Sequence, residues 1–333
     1  QQGGPIPPDT PRTIDLQAPP GAVAVAYNVT VTGTTTTGNA AVGPAGASLT
    51  GTSTINWFGP GQTLANGYVA KLGDGADLQV VVRGGSANVI LDVLGYYLPP
   101  GFGIVPTAEP DQLVFVPLDP GTRVYDSRTA DGPLLDGTSR TVSLATGVPA
   151  GAQAAAYTIT EFDTVGSGHL SVGLPGSPKP PTSTINWFAN GQRLANSTVA
   201  ALDDQRALAV FGGGPATGFA IDVLGYFTTA AQAPDGLRFQ PIAPARAYDS
   251  RDANAGGLLL AGQRRTTNAE PIGQLAPRNA AAVAVNLTVA DTVAGGHLRL
   301  APGETAVRPE TSAINWYASG QRLANGTVVA IRD

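Results

Sequence analysis

Few residues of this 333-residue chain could carry acid–base chemistry. The two histidines, His169 and His297, each stand in a Gly-His-Leu segment. A general acid–base pair or a Ser-His-Asp arrangement would need partner side chains nearby, and no nucleophile-elbow sequence is present. Cysteine and methionine are both absent, which excludes disulfides, thiolate metal sites and cysteine nucleophiles. The sequence therefore predicts that the protein is not an enzyme, and it predicts no cofactor.

A second group of residues pairs acidic with basic side chains. Tyr125-Asp126-Ser127-Arg128 recurs as Tyr248-Asp249-Ser250-Arg251. In an extended segment the Asp and the Arg lie on one face, where the Arg could clamp a carboxylate or hydroxyl ligand. We favour a structural role, in which the Asp caps a turn and the Arg pairs with the Asp or with carbonyl groups of the next strand, because Asp readily bonds local backbone. This structural motif comprises Tyr125, Asp126, Arg128, Tyr248, Asp249 and Arg251.

Two aspartates stand alone in apolar strand-like segments. Asp92 and Asp222 each begin the sequence Asp-Val-Leu-Gly-Tyr. A calcium site would need a loop with further oxygen ligands, and that pattern is missing, so no metal site is predicted. Because a buried charge needs a partner, we expect each aspartate to pair with an Arg or to cap a loop.

The strongest binding candidate is a motif that occurs three times. Ser-Thr-Ile-Asn-Trp or its variant Ser-Ala-Ile-Asn-Trp is followed by Gly-Gln-x-Leu-Ala-Asn. An exposed Trp beside amide side chains could stack on a sugar and hydrogen-bond its hydroxyls. The competing and favoured interpretation is a core Trp with amides that fix turns. The candidate residues are Asn56, Trp57, Gln62, Asn66, Asn186, Trp187, Gln192, Asn196, Asn315, Trp316, Gln321 and Asn325.

Self-similarity predicts the architecture. The tryptophans of the three motifs are separated by 130 and 129 residues, a length typical of whole domains. Within repeats, apolar residues alternate with small or polar ones, as in residues 23–32, which predicts strands with one buried face. The sequence predicts an all-β fold of three tandem β-sandwich-like repeats, jelly-roll or immunoglobulin-like, of about 125–130 residues each. Four Asn-x-Ser/Thr sequences, interpreted as strand and turn residues, begin at Asn28, Asn196, Asn286 and Asn325.

Pro- and Gly-rich stretches predict the boundaries. Linkers at 99–112 and 229–237 separate repeat 1 (1–98), repeat 2 (113–228) and repeat 3 (238–333). Compared with repeat 2, repeat 1 lacks its N-terminal strand and repeat 3 its C-terminal strands, so we expect a fragment of a longer array. The linkers predict an extended, stiff rod. The incomplete ends predict head-to-tail strand donation through residues near 1–16 and 327–333.

The combined motifs resemble repeats that are common in secreted actinobacterial proteins. Those repeats often begin with Leu-Asp-Thr-Arg and end with Asp-Val-Val-Gly-Tyr-Phe, comparable to Tyr-Asp-Ser-Arg and Asp-Val-Leu-Gly-Tyr-Phe here. The resemblance covers nearly the whole chain. It implies an extracellular, β-rich surface or accessory module, sometimes appended to secreted hydrolases, and it implies no established activity.

Composition limits the possible partners. Only 13% of residues are charged and the net charge is −5, which gives no reason to expect nucleic-acid binding. No apolar run is long enough to span a membrane. We therefore expect an extracellular or cell-surface structural protein, a stalk, surface-layer or filament subunit whose partners are itself or other surface components. The alternative is a carbohydrate- or cell-wall-binding accessory module that recognises polysaccharide.

Overall fold

The computed structural model describes residues 3–49, 53–98, 113–239, 246–252, 254–266, 280–303, 309 and 311–331. Within these residues the elements are strands, and no helix is long and apolar enough to cross a membrane. The chain is all-β, as predicted, with antiparallel sheets arranged as in β-sandwiches. The predicted linker 99–112 lies outside the described residues, as do 1–2 and 332–333 of the segments predicted to associate.

The first repeat contains two sheets. Its strands are β1 (Arg12–Ile14), β2 (Ala24–Thr32), β3 (Gly38–Pro44), β4 (Ile55–Trp57), β5 (Leu64–Lys71), β6 (Leu78–Gly84) and β7 (Asn88–Tyr97). One sheet has the order β1-β6-β3-β4 and the other the order β5-β2-β7. The core between them contains fully buried side chains from both sheets, among them Tyr27, Trp57 and Leu78.

The second repeat has the same order with one more strand. Its strands are β8 (Leu113–Asp126), β9 (Ser139–Ser143), β10 (Ala154–Phe162), β11 (Gly168–Gly173), β12 (Ile185–Trp187), β13 (Arg193–Ala201), β14 (Ala207–Gly213) and β15 (Gly218–Thr229). Its sheets have the orders β12-β11-β14-β9 and β13-β10-β15-β8. Strand β8 therefore covers the outer edge of β15, whereas β7, the counterpart of β15, pairs with β2 alone in the described residues.

The third repeat contributes two strand pairs among the described residues. Its strands are β16 (Ala282–Val289), β17 (Gly296–Leu298), β18 (Ile314–Trp316) and β19 (Leu323–Ala330). Strand β16 pairs with β19, and β17 with β18, in the registers that β2–β5 and β3–β4 have in the first repeat.

Strand β2 is buried on both faces, although its alternation predicts one buried face. The polar residues Asn28 and Thr30 are only 2% and 3% exposed. The reason is tertiary, because this face of the sheet packs against a neighbouring repeat, where Asn28 donates to the Ser183 carbonyl at 2.8 Å. The prediction of one solvated face was therefore wrong at this strand.

The repeats pack side by side instead of forming a rod. Strands β5, β13 and β19, one from each repeat, all contact one another. A small cavity at their junction is lined by the same four positions of every repeat, which in the first repeat are Ile55, Asn56, Leu64 and Ala65. The extended rod predicted from the linkers is therefore wrong for this chain, since the three repeats surround a common axis.

Candidate functional site

The last Asn of each Gly-Gln-x-Leu-Ala-Asn motif lies at the junction of the three repeats. Asn66, Asn196 and Asn325 occupy equivalent positions in β5, β13 and β19, and all three are 0% exposed. Each side-chain nitrogen donates to a carbonyl of its own repeat, at Thr54 (2.6 Å), Thr184 (2.5 Å) and Ala313 (2.6 Å). This bond fixes the loop before the Asn-Trp segment to the strand that carries the Asn.

The side-chain oxygens of the same asparagines join the repeats in a closed ring. The oxygen of Asn196 accepts the backbone N–H of Gly67 at 2.5 Å. The oxygen of Asn325 accepts the N–H of Ser197 at 2.8 Å, and that of Asn66 accepts the N–H of Gly326 at 2.7 Å. Repeat 2 thus holds repeat 1, repeat 3 holds repeat 2, and repeat 1 holds repeat 3. Because buried amides need partners, each bond also satisfies groups that would otherwise be costly to desolvate.

Further polar side chains reinforce the ring. Asn196 donates to the side-chain oxygen of Asn28 at 2.9 Å, and Asn66 donates to that of Asn286 at 3.0 Å. Asn286 in turn donates to the Ser53 carbonyl at 2.5 Å. All four Asn-x-Ser/Thr asparagines lie in strands, so their interpretation as structural residues is confirmed.

The neighbouring strands approach so closely that two ring positions require glycine. A Cβ on Gly67 would overlap the Ser197 carbonyl oxygen, and a Cβ on Gly326 would overlap the Gly67 carbonyl oxygen. Sequence reasoning missed this role. The sequence does contain an indication of it. In repeats 1 and 3 a Gly directly follows the last Asn of the motif, within a segment whose other residues are typical of a strand.

The tryptophans of the first two repeats do not form a sugar-stacking surface. Trp57 and Trp187 are 0% and 1% exposed, and Trp316 is partly buried. Each indole lies over a glycine of the adjacent strand, Gly38, Gly168 or Gly296, where a Cβ would overlap the ring. Burial excludes the sugar-stacking alternative at Trp57 and Trp187, and it confirms the favoured interpretation of both as core residues.

The amides beside the tryptophans bond to the protein itself. The side-chain oxygen of Gln62 accepts the N–H of Phe58 at 2.8 Å. Gln192 and Gln321 make the same turn-fixing bond to residues 188 and 317, at 2.6 and 2.7 Å. The first Asn of each motif donates to the Ser three residues earlier, at 3.2 Å for Asn56 and at 3.0 Å for Asn186 and Asn315. All of these amides are buried, so none is presented to a polysaccharide.

The Tyr-Asp-Ser-Arg motif of repeat 2 forms an internal ion-pair network. Arg128 donates its Nε to Asp126 at 2.9 Å, and the Arg128 backbone N–H also bonds that carboxylate at 3.0 Å. These bonds lower the pKa of Asp126, with the Arg128 side chain as the largest cause. Of the two partners expected for the Arg, the structure shows the Asp, which also caps the turn through the Arg128 backbone N–H. Tyr125 completes the motif by accepting a bond from Arg140 at 2.8 Å.

Asp222 has the arginine partner expected for a buried carboxylate. Arg123 on β8 donates Nε and a terminal nitrogen to its two oxygens at 2.8 and 3.0 Å. Asp222 is 0% exposed, so this bidentate bond satisfies a charge that water does not reach. Asp92, the equivalent residue of repeat 1, has no ion pair among the described residues, and burial raises its pKa.

The Tyr-Asp-Ser-Arg motif of repeat 3 has the same local geometry as that of repeat 2, although it pairs with no strand among the described residues. Arg251 donates its Nε to Asp249 at 2.9 Å, and Arg265 donates to the Tyr248 hydroxyl at 2.7 Å. Hydrogen bonding from Arg251 lowers the pKa of Asp249. The three residues of this motif therefore adopt the same arrangement as those of repeat 2, at a more exposed position.

The remaining candidates for chemistry are dispersed. His169 is half-buried across the strand pair from Asn186 and Gly213, and desolvation, followed by the charge of Lys179, lowers its pKa. Within the part of the chain that the structure describes, no cluster of three or more His, Asp or Glu side chains could hold a metal ion.

Comparison with known proteins gives no assignment. No family model matches the chain, and no curated protein matches it.

Proposed function

We propose that this chain is a non-enzymatic structural protein of the cell exterior, a subunit of a surface layer, stalk or filament. The observation that carries the proposal is the closed ring of asparagine bonds. The polar side chains that recur in every repeat hold the three repeats together, as in Asn66, Asn196 and Asn325. A protein whose recurring side chains hold its repeats together is suited to a mechanical role.

Composition supports an extracellular location. Cysteine and methionine, the side chains most readily oxidised, are absent, and only two lysines occur. The resemblance to secreted actinobacterial repeats supports the same location. The alternative function, a carbohydrate- or cell-wall-binding module, would need a surface other than the Asn-Trp motifs, since Trp57 and Trp187 are buried.

Self-association of the purified chain tests this proposal. Sedimentation velocity over a wide range of protein concentration, followed by electron microscopy of the concentrated sample, measures it directly. We expect species larger than one chain and, at high concentration, filaments or a lattice whose repeat matches the size of one chain. A dispersed monomer at every concentration would overturn the proposal and direct attention to polysaccharide binding.

A further inference from the structure

Two of the three asparagines that close the ring are directly followed by glycine. The two sequences are Asn66-Gly67 and Asn325-Gly326, whereas a serine follows the ring asparagine of repeat 2. In an Asn-Gly sequence the backbone nitrogen of the glycine can attack the side-chain carbonyl carbon of the asparagine, because no Cβ hinders the approach and the glycine backbone turns readily. A chemically labile sequence therefore stands at two of the three bonds that join the repeats.

The reaction that such a sequence undergoes is deamidation. The glycine nitrogen forms a bond to Cγ of the asparagine, and its proton leaves with the side-chain NH2 group as ammonia, which gives a cyclic imide. Water then opens the imide at one of its two carbonyl groups and leaves aspartate or isoaspartate. Asparagine is heat-labile in proteins for this reason, and the rate depends on whether the nitrogen can reach Cγ.

The folded junction keeps the reacting groups in place. The N–H of Gly67 bonds to the side-chain oxygen of Asn196 at 2.5 Å, and the N–H of Gly326 bonds to that of Asn66 at 2.7 Å. The asparagines of both labile sequences lie in strands and are 0% exposed. Cyclisation therefore requires that the junction opens first, so its rate follows the population of the open state.

The close approach of the strands and the labile sequence have the same origin. A Cβ at either glycine would overlap a backbone oxygen of the neighbouring repeat, which is Ser197 for Gly67 and Gly67 for Gly326. A larger residue would slow the attack on the asparagine, but it would also push the strands apart. The junction itself must therefore supply the protection.

An aspartate at position 66 does not fit the ring. The side-chain nitrogen of Asn66 donates to the Thr54 carbonyl at 2.6 Å and to the side-chain oxygen of Asn286 at 3.0 Å. In aspartate an oxygen replaces that nitrogen, so acceptors would face acceptors. The new negative charge would also be buried, and none of the groups that bond Asn66 carries a positive charge. We expect the carboxylate to leave the junction, and the N–H of Gly326 then loses its acceptor.

We propose that Asn66 and Asn325 are deamidation sites that the ring protects, and that conversion of Asn66 makes Asn325 reactive in turn. The order follows from the direction of the ring, because Asn66 holds the N–H of Gly326, the nucleophile that attacks Asn325. Conversion of Asn325 would instead release Ser197, whose side chain hinders the attack. The inference goes beyond the proposed function, since it holds whether or not copies of the chain assemble.

A third Asn-Gly sequence provides a reference within the same chain. Asn190-Gly191 lies in an exposed turn of repeat 2, where it bonds to Gly166 and Thr164 of the same repeat. An exposed turn opens at a lower cost in free energy than a buried junction of strands. In the folded protein we therefore expect Asn190 to deamidate at least about tenfold faster than the two ring sites, and in denaturant we expect comparable rates at all three.

Peptide mapping by mass spectrometry, after incubation at mildly alkaline pH, measures the converted fraction at each asparagine. Asn66→Asp places the reaction product in the ring and should raise the conversion rate of Asn325 at least about tenfold. Asn190→Asp, the same change in the exposed turn, is the matched control and should leave the rates at both ring sites unchanged. Asn325→Asp should raise the rate at Asn66 far less than the reverse change does. Circular dichroism checks that all variants are folded.

Each other result contradicts a part of the proposal. Ring sites that convert as fast as Asn190 in the folded protein would show that the ring gives no protection. An equal effect of Asn66→Asp and Asn325→Asp on the remaining site would mean that the ring opens as a unit, without the proposed order. If Asn66→Asp does not fold, wild type alone decides the order. Conversion of Asn325 should then lag behind that of Asn66, and the absence of a lag would overturn it.

Discussion

At the scale of single residues, Glu161 occupies a position at which the other repeats carry valine. Val31 and Val289 are buried at the equivalent positions, and Glu161 is 0% exposed. Among the described residues, neither of its carboxylate oxygens makes a hydrogen bond of standard geometry. Desolvation raises its pKa well above the ordinary value, against the smaller lowering effects of the Leu194 backbone N–H and the Arg193 charge.

We expect Glu161→Val to stabilise the protein at neutral pH by about 1–3 kcal/mol, because it removes a buried carboxyl group that is poorly compensated for its lost hydration. The pKa of Glu161 is higher in the folded chain than in the unfolded chain. The unfolding free energy of the wild type should therefore fall as pH rises from the unfolded-state pKa to the folded-state pKa, and it should change no further above that. Denaturant unfolding at pH 5 and pH 8 measures both effects. The stabilisation by the variant should be larger at pH 8, and Glu161→Gln, which keeps the side-chain size, should show the same pH trend. A variant less stable than wild type at pH 8 would contradict the argument.

Asp222 is the opposite case, a buried charge with a good partner. Arg123→Met would leave the carboxylate of Asp222 without its bidentate donor, and we expect a loss of at most about 3 kcal/mol in unfolding free energy, since solvent reaches the Arg123 side. Adding Asp222→Leu should restore most of the loss. Equilibrium denaturation of the wild type, the two single variants and the double variant gives the interaction energy between Arg123 and Asp222. If the losses of the single variants simply add in the double variant, the two side chains do not stabilise each other.

At the scale of elements, the contact between β5 and β13 depends on a missing side chain. Gly67→Ala would place a methyl group against the Ser197 carbonyl, which is backbone and cannot move cheaply. We expect a loss of about 1–3 kcal/mol, as for overpacked sites. Gly59→Ala is the control, because the nearest atom to a Cβ at this glycine, the side-chain nitrogen of Gln62, is 3.9 Å away. Thermal unfolding of dilute protein compares the stability of the two variants. Equal losses of stability would mean that β5 and β13 can move apart at no cost in free energy.

At the scale of the whole molecule, packing around one axis predicts a compact particle. A compact chain of this length should have a radius of gyration of about 20 Å, whereas three sandwiches in line would give roughly 30 Å. Small-angle X-ray scattering at low protein concentration distinguishes them. A value near that of the rod would mean that the asparagine ring does not hold in solution.

Much of the fold was predictable from the sequence. Alternation in β2 and the recurring motifs indicated strands and repeats, because side-chain period and self-similarity are local properties. The pairing of Asp126 with Arg128 was predictable for the same reason, as two residues in an extended segment share a face. The core role of Trp57 could be favoured only on general grounds, since one strand pattern fits a buried or an exposed ring.

The relation between repeats was decided by tertiary structure. Residue patterns along the chain were enough to indicate the all-β class, the repeated strands and the residues at which the repeats agree. They could not show that Asn66, Asn196 and Asn325 bond to backbone groups of another repeat, between 128 and 260 residues away in the chain. Such a bond depends on how two folded surfaces meet, and no local periodicity encodes that arrangement. For this reason the linkers suggested a rod, whereas the buried amides close a ring.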